Sequence, residues 1–304
     1  MKADAVFEGG GVKGIALAGA VTALEEAGYQ WNHLAGTSAG AIAAALLAAG
    51  YTGKELSEIL MKVNYVKLLK GCNGDMFLIT MIAKLLMYKG IYSTNNIETW
   101  IGKLLKAKGK EKFKDIIEKG EGKLKIIATD VTNRRMLILP DDLALFGIDP
   151  LEFSIAKAVS MSIAIPFFFT PAKIIKNNQV NLMVDGGLVS NFPVWIFDVQ
   201  GKPRWPTFGF RLWENSKSRH AMGKKDIISY ALDVMGAMLD KNEEIYLKDK
   251  DQVRTVNIPT LGIGTLQFDI SKEQARKLYE AGYITAKKFL QQWDFEDYIK
   301  RYRR

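Results

Sequence analysis

The sequence contains only two histidines, His33 and His220, and one cysteine, Cys72, among its 304 residues. A single cysteine excludes an internal disulfide bond and is typical of proteins from a reducing compartment. No stretch reaches the ~18 uncharged apolar residues that a membrane-spanning helix needs, and charges occur at the N-terminus where a signal peptide would be apolar. We therefore expect a cytoplasmic protein without a signal peptide or a transmembrane span.

Acidic residues are in deficit, because 33 Asp and Glu face 42 Lys and Arg and leave a net charge of +9. The excess is concentrated in residues 51–125, with 15 lysines against 8 acidic residues, and in the basic C-terminal residues 300–304. Such an excess favours nucleic acid or an anionic lipid surface, and solvated lysines on helix faces explain it equally well. No nucleic-acid-binding module is recognisable and the basic residues are not interleaved with aromatic ones, so we expect no nucleic-acid partner.

The order of hydrophobic segments predicts an α/β fold. The start of the chain gives a strand at 4–8, a helix at 12–27, a second strand at 30–35 and an almost wholly apolar helix at 41–49. This alternation predicts a parallel sheet that is covered by helices on both faces. Further strands are predicted at 123–129, 135–139, 181–184, 207–212 and 255–258, with a helix at 155–163 and a C-terminal helix that begins after Ser271.

No repeat or linker divides the sequence, so we expect one domain over residues 1–304. It comprises a motif-bearing core at about 4–195, a helical, lysine-rich insert at about 51–122 with no clear strand, and a C-terminal helical region at about 271–304. Within the insert, residues 76–88 form an apolar segment flanked by basic residues. Such a segment is typical either of a lid or interfacial helix that touches lipid or of a core helix.

Ser38 lies in the pentapeptide Gly36-Thr37-Ser38-Ala39-Gly40, which has the G-x-S-x-G form of a nucleophile elbow between a strand and a helix. Histidine usually takes the serine proton in such enzymes. His33 precedes Ser38 on the same predicted strand, about 16 Å away, and His220 lies in a charged, loop-like stretch with no acidic neighbour. We therefore expect a base other than histidine.

Two aspartates that end predicted strands are candidates for that base. Asp185 follows an apolar strand, precedes two glycines that allow a sharp turn and has uncharged neighbours, so it is the better placed. An apolar pocket would raise its pKa from the ordinary value of about 3.9 towards neutrality and make it a better base. Asp130 lies near Arg134 and Arg135, which predicts a salt bridge or a turn cap instead.

The stretch Gly9-Gly10-Gly11-Val12-Lys13-Gly14 follows the first predicted strand and matches G-x-G-x-x-G. The second strand lacks the acidic residue that a dinucleotide site needs, and Gly14 stands where a Walker A loop has Ser or Thr. What remains is a turn at a helix N-terminus whose amides suit an anion, including a transient oxyanion, or a turn that only connects strand and helix. Because consecutive strands of such a unit are neighbours, we expect this turn beside Ser38.

The triglycine stretch, the elbow around Ser38 and Asp185-Gly186-Gly187 together resemble the patatin-like phospholipase family. Residues 128–130, 160–171 and 191–193 agree with it, so the resemblance runs from residue 4 to about 195. It implies a three-layer α/β/α fold with a mostly parallel central sheet. It also implies that Ser38 is the nucleophile, that Asp185 is the general base, and that the backbone amides of Gly9, Gly10 and Gly11 form the oxyanion hole. We expect no metal ion and no other cofactor.

The resemblance implies a lipid acyl hydrolase of the phospholipase A or lysophospholipase type that forms an acyl-enzyme intermediate. General carboxylesterase, triacylglycerol lipase and thioesterase activities stay open as alternatives, as does a non-catalytic lipid-binding regulator. The expected partner is a phospholipid or another fatty acyl ester, with peripheral contact to an anionic membrane surface. Within residues 166–169 a phenylalanine replaces the small residue expected of the family, which predicts an altered acyl pocket.

Overall fold

The computed structural model describes residues 1–70, 78–118, 120–213, 229–230, 233–234, 236–237 and 247–303. Cys72 and His220 lie outside these residues, as do the first two residues of the apolar segment predicted at 76–88.

Strands and helices are interspersed along the described chain. The strands are β1 (Lys2–Phe7), β2 (Gln30–Thr37), β3 (Gly90–Tyr92), β4 (Ile117–Glu118), β5 (Glu121–Gly122), β6 (Leu124–Asp130), β7 (Arg135–Leu139), β8 (Phe167–Phe169), β9 (Ala172–Lys176), β10 (Gln179–Asp185), β11 (Thr207–Trp213) and β12 (Thr255–Pro259). The helices are α1 (Gly14–Glu26), α2 (Ala39–Ala48), α3 (Gly53–Lys62), α4 (Tyr65–Lys70), α5 (Leu78–Tyr88), α6 (Asn95–Ala107), α7 (Ile155–Ser162), α8 (Asp249–Gln252), α9 (Lys272–Gln292) and α10 (Phe295–Tyr302).

The central sheet has the strand order β12-β11-β1-β2-β6-β10-β9, and β7 pairs with β6 as well. The strands from β12 to β6 in this order run parallel, whereas β10, β9 and β7 are antiparallel to their neighbours. Helices flank the sheet, with α2 against β1 and β2, α7 against β6, and α9 against β12. The predicted α/β class with a mostly parallel, helix-flanked sheet is confirmed.

The predicted strands of the core agree with β1, β2, β6, β7, β10, β11 and β12 to within two residues. The prediction that residues 51–122 contain no clear strand is wrong, because β3 pairs with β8 and β4 pairs with β5. Strands of two or three residues are too short to show a hydrophobic period, and β3 forms only by pairing with a distant segment. The C-terminal region is two helices, since α9 ends at Gln292 and Asp294 caps the start of α10.

One hydrophobic cluster includes residues from every predicted part of the chain. Leu24 of the motif-bearing core, Leu56 and Ile101 of the insert, and Leu278 of the C-terminal region are all fully buried members of it. A shared core of this kind is what makes a chain fold as one unit. It supports the expectation of one domain, which stays a prediction.

Helices α1 and α9 approach each other closely at two glycines. A Cβ atom at Gly19 would clash with the carbonyl oxygen of Tyr279, and one at Gly282 would clash with that of Ala16. Backbone atoms cannot move aside without separating the helices, so this contact requires glycine at both positions.

Substituting Gly19→Ala is therefore expected to destabilise the protein by about 1–3 kcal/mol, the usual cost of overpacking a core. The matched control is Gly102→Ala in α6, where a Cβ would meet only the Ala156 side chain at 3.8 Å and helix propensity would improve. Differential scanning fluorimetry should show a lowered Tm for the first variant and an unchanged or raised Tm for the second. Equal Tm values for Gly19→Ala and the parent would contradict this account of the interface.

Candidate active site

Ser38 occupies a sharp turn between β2 and α2. Its φ of 54° and ψ of −122° put a non-glycine residue in a region that only a constrained turn holds. A Cβ atom at Gly40 would clash with the carbonyl oxygen of Phe7, so glycine lets the first turn of α2 lie against the end of β1. The sequence thus builds the predicted nucleophile elbow, and the N-terminus of α2 begins directly after the serine.

Strand β6 sets Ser38 and Asp185 side by side. Its first half pairs with β2, with Ile127 opposite Thr37, and its second half pairs with β10, with Ala128 opposite Asp185. Since β7 occupies the other edge of β6 over residues 126–130, β2 and β10 share one edge and meet there end to end. Ser38 and Asp185 therefore emerge next to neighbouring residues of a single strand.

The Ser38 hydroxyl donates a hydrogen bond of 2.6 Å to Oδ2 of Asp185. The other carboxylate oxygen, Oδ1, accepts one of 2.7 Å from the Gly187 amide. Both side chains are buried, with exposed fractions of 6% for Ser38 and 0% for Asp185. Burial raises the pKa of Asp185 to about 7, while the hydrogen bonds from Ser38 and Gly187 lower it. A carboxylate with such a pKa suits proton transfer near neutral pH better than an ordinary aspartate does.

The last residue of α7 and the residues that follow it hold the backbones of Ser38 and Asp185 in place. The Ser38 amide donates to Oγ of Ser162 at 2.9 Å, and that hydroxyl donates to the carbonyl oxygen of Ile127 at 2.5 Å. The Asp185 amide donates to the carbonyl oxygen of Ala164 at 2.9 Å. Sequence reasoning missed Ser162, although its place in the stretch 160–171 was an available signal.

The triglycine turn lies directly beside Ser38, as expected. A Cβ atom at Gly9 would lie 3.0 Å from Cβ of Ser38 and would clash with the Asn191 side chain. Asn191 binds Gly9 at both backbone groups, because its carbonyl oxygen accepts from the Gly9 amide at 3.4 Å and its Nδ2 donates to the Gly9 carbonyl at 3.2 Å. Among the described residues, no hydrogen bond uses the amides of Gly10 and Gly11.

Ser38 opens into a largely apolar cleft. Its other walls come from the triglycine turn and the start of α1, from the elbow and α2, from the insert, from the segment after α7 and from the loop before α9: Gly11, Val12, Gly14, Ile15, Ala39, Ile42, Leu60, Tyr65, Leu68, Ile97, Trp100, Ile163, Ile165, Phe169 and Phe268. Phe169, from the stretch 166–169, lines the cleft, and the altered acyl pocket stays a prediction. Such a lining suits an extended hydrocarbon chain.

The remaining candidates from the sequence have other roles. Nδ1 of His33 lies 3.1 Å from Asp4, and this hydrogen bond is the largest cause that raises the pKa of His33. Asp130 is buried, accepts from the Asn133 backbone and side chain, and pairs with Nε of Arg135 at 3.3 Å. The prediction of a salt bridge or turn cap at Asp130 is confirmed.

In the part of the chain that the structure describes, no helix combines the length and the apolar character needed to cross a bilayer.

Comparison with known proteins places these features in a family. A family model described as patatin-like phospholipase matches residues 5–198. The chain is 38% identical over 301 residues to YqhO of Bacillus subtilis strain 168, described as uncharacterized, with 97% of this chain and 100% of that protein covered. It is also 27% identical over 198 residues to 463L of Invertebrate iridescent virus 6, named a probable lipid hydrolase, with 62% and 61% covered.

Solved structures show the same fold at low sequence identity. VipD from Legionella pneumophila matches 95% of this chain with a TM-score of 0.56 and 18% identity. ExoU, a type III effector from Pseudomonas aeruginosa, matches 96% with a TM-score of 0.53 and 18% identity. This chain spans 66% of the VipD chain and 53% of the ExoU chain. With the family model matched over most of its length, the chain belongs to the patatin-like phospholipase family.

Proposed function

We propose that this protein is a lipid acyl hydrolase, of the phospholipase A or lysophospholipase type, that uses Ser38 and Asp185 as its catalytic pair. The observation that carries the proposal is the hydrogen bond between the Ser38 hydroxyl and the buried Asp185 carboxylate at an apolar cleft. Family membership and the lipid-hydrolase name of the viral relative support the substrate class. The acyl chain lies in the cleft, and contact with an anionic membrane surface is part of the proposal.

In the first step, Oγ of Ser38 attacks the acyl carbonyl carbon while Asp185 accepts the hydroxyl proton. The C–O bond to the leaving alcohol breaks, Asp185 returns the proton to that oxygen, and an acyl-enzyme remains. Water then attacks the acyl-enzyme with Asp185 again as base, which releases the fatty acid and restores Ser38. The positive end of α2, which starts at Ala39, favours negative charge on the serine oxygen.

The negative oxygen of each tetrahedral intermediate needs hydrogen-bond donors that are already in place. The amides of Gly10 and Gly11 fit this role, because Gly10 directly follows Gly9, which lies against Ser38, and Gly11 lines the same cleft as Ser38. Neither amide has another acceptor among the described residues. The Gly9 amide is bound to Asn191, so Gly9 contributes by its small size and Asn191 by fixing the turn. This division narrows the expectation that all three glycine amides bind the oxyanion.

Substituting Ser38→Ala or Asp185→Asn is expected to lower fatty-acid release from phospholipid vesicles by at least about 10³-fold, because each change removes one member of the pair. A fluorophosphonate probe should label the parent at Ser38 and should not label Ser38→Ala.

Two controls accompany this experiment. Asp130→Asn changes another buried aspartate at a strand end that does not touch Ser38, and His220→Ala removes a histidine that the mechanism does not use. Folded protein of both variants should keep the parental rate. Full activity of the Asp185→Asn variant, or loss of activity in the His220→Ala variant, would refute the proposed pair.

Hydrolysis should also become slower as the pH falls, because the proposed base must be ionised to accept a proton. Since burial raises the pKa of Asp185 to about 7, the carboxylate is largely protonated below that value. We expect kcat/KM for a soluble ester to fall by about tenfold per pH unit below the midpoint and to level off above it. A profile that is flat between about pH 5 and 8 would argue against Asp185 as the base.

A further inference from the structure

Helix α5 presents apolar side chains to solvent. Leu86 and Met87 have exposed fractions of 78% and 69%, and Ile82 and Tyr88 are exposed as well. An isolated exposed apolar residue is ordinary, but a contiguous group on one short helix marks an interaction surface. The sequence left open whether this segment is a core helix or touches lipid, and the exposure favours the second alternative.

A two-stranded sheet joins this helix to the cleft. Strand β3 follows α5 directly, and in its pairing with β8 Gly90 lies opposite Phe167 and Tyr92 lies opposite Phe169. Phe167 is 43% exposed and lies beside the end of α5, whereas Phe169 lines the cleft of Ser38. We call Ile82, Leu86, Met87, Tyr88 and Phe167 the α5 surface. One end of the short sheet belongs to this surface and the other to the wall of the cleft.

A basic cavity adjoins the α5 surface. It is lined by Lys84, Lys157 and Lys173 together with the hydroxyl-bearing residues Ser93, Thr94 and Thr170. Lys157 also lies 3.7 Å from Glu98, and none of the described residues that line the cavity is acidic, so its lining is basic. Tyr88 lines it too, and the apolar surface and the basic cavity therefore meet at one side chain. Lysines with hydroxyl donors suit phosphate head groups.

We propose that the α5 surface and the basic cavity dock the protein on an anionic phospholipid bilayer. The apolar side chains enter the interface and the lysines bind lipid phosphates, which is the charge pattern of an interfacial helix. An apolar protein partner would offer no counter-charge to the lysines of the cavity. The basic lining therefore favours an anionic bilayer over such a partner. This inference rests on the proposed lipid substrate and adds where the substrate approaches, since β8 brings the bilayer next to the cleft.

The test measures co-sedimentation of Ser38→Ala protein with phosphatidylglycerol vesicles and with phosphatidylcholine vesicles, at low and high salt. Leu86→Ser/Met87→Ser should weaken binding to the anionic vesicles by about tenfold or more, because apolar area no longer enters the lipid. Lys84→Gln/Lys173→Gln should weaken it by about tenfold and reduce the salt dependence. The control Ile284→Ser removes an exposed apolar side chain on α9 and should bind like the parent.

The same substitutions with Ser38 intact should hydrolyse a soluble short-chain ester at the parental rate, since none of them lines the cleft. Failure of the proposed function is thus seen in the ester assay and failure of the docking surface in the vesicle assay. Parental vesicle binding by both double variants would overturn the docking surface. Equal binding of the parent to neutral vesicles at high salt would overturn it as well. So would a dimer of the parent that Leu86→Ser/Met87→Ser dissociates while vesicle binding stays unchanged.

A separate observation concerns Ser162, which is fully buried and touches no part of the cleft. Its hydroxyl accepts from the Ser38 amide and donates to the Ile127 carbonyl, and Ile127 is the residue of β6 that pairs with Thr37. These two bonds fix the backbone of Ser38 in its unusual conformation. We infer that Ser162 is a positioning residue that acts through Ser38.

Substituting Ser162→Ala should lower kcat on a soluble ester by about 10- to 100-fold with little change in KM, because a displaced nucleophile still leaves the cleft intact. The midpoint of the pH profile should rise, since a weaker hydrogen bond from Ser38 lowers the pKa of Asp185 less. Ser160→Ala is the matched control, because that buried hydroxyl donates to the carbonyl oxygen of Lys157 in its own helix.

Ser162→Cys keeps the size and a weak donor and should give an intermediate kcat, and Tm values separate misfolding from misplacement. Parental kcat and midpoint in Ser162→Ala would overturn the positioning role. An equal loss of kcat in Ser160→Ala would do the same, because it would show a general effect of altering α7.

Discussion

The hydrogen bond between Ser38 and Asp185 joins residues that are 147 positions apart, and both side chains are buried. Desolvation decides its chemistry. An exposed aspartate would hold its proton too weakly to take one from serine, whereas a buried one has a pKa near 7. Every close approach around it keeps water out: Gly40 against Phe7, Gly9 against Asn191, and the segment after α7 against both residues of the pair. In a chain with only two histidines, the proposed base thus owes its pKa to packing rather than to residue type.

The sequence was a good guide to the parts of this site that are local. The turn at Ser38, the glycines before α1 and the strand that ends in Asp185 each show in a few consecutive residues, and so did the pairing role of Asp130. The parts that depend on distant segments were out of reach. The pairing of β3 with β8 and the use of the Gly9 amide by Asn191 arise only when separate stretches meet. Ser162 lies in the family-like stretch 160–171, but the sequence gives no sign of the two backbone groups that its hydroxyl binds.

The residues of the proposed reaction and many of the residues that line the cleft come from different parts of the chain. The reacting groups come from β2, β10 and the triglycine turn, whereas Leu60, Tyr65, Leu68, Ile97 and Trp100 of the insert form much of the cleft wall. The insert also carries α5 and most of the basic excess. Its lysine-rich composition, which is suited to an anionic surface, therefore belongs to the same region that shapes the acyl pocket.

Strand β6 gives the site a property that neither Ser38 nor Asp185 has alone. Ser38 and Asp185 are adjacent only because Ile127 and Ala128 are consecutive and pair with different strands. A slip of one residue in either pairing would turn the affected side chain to the other face of the sheet. During synthesis, the elbow is complete long before β10 exists, so the serine has no base while the chain is unfinished. Under the proposed mechanism, Ser38 becomes an active nucleophile only once β10 has paired with β6, and a chain that ends before Asp185 or pairs β10 out of register would not hydrolyse lipid.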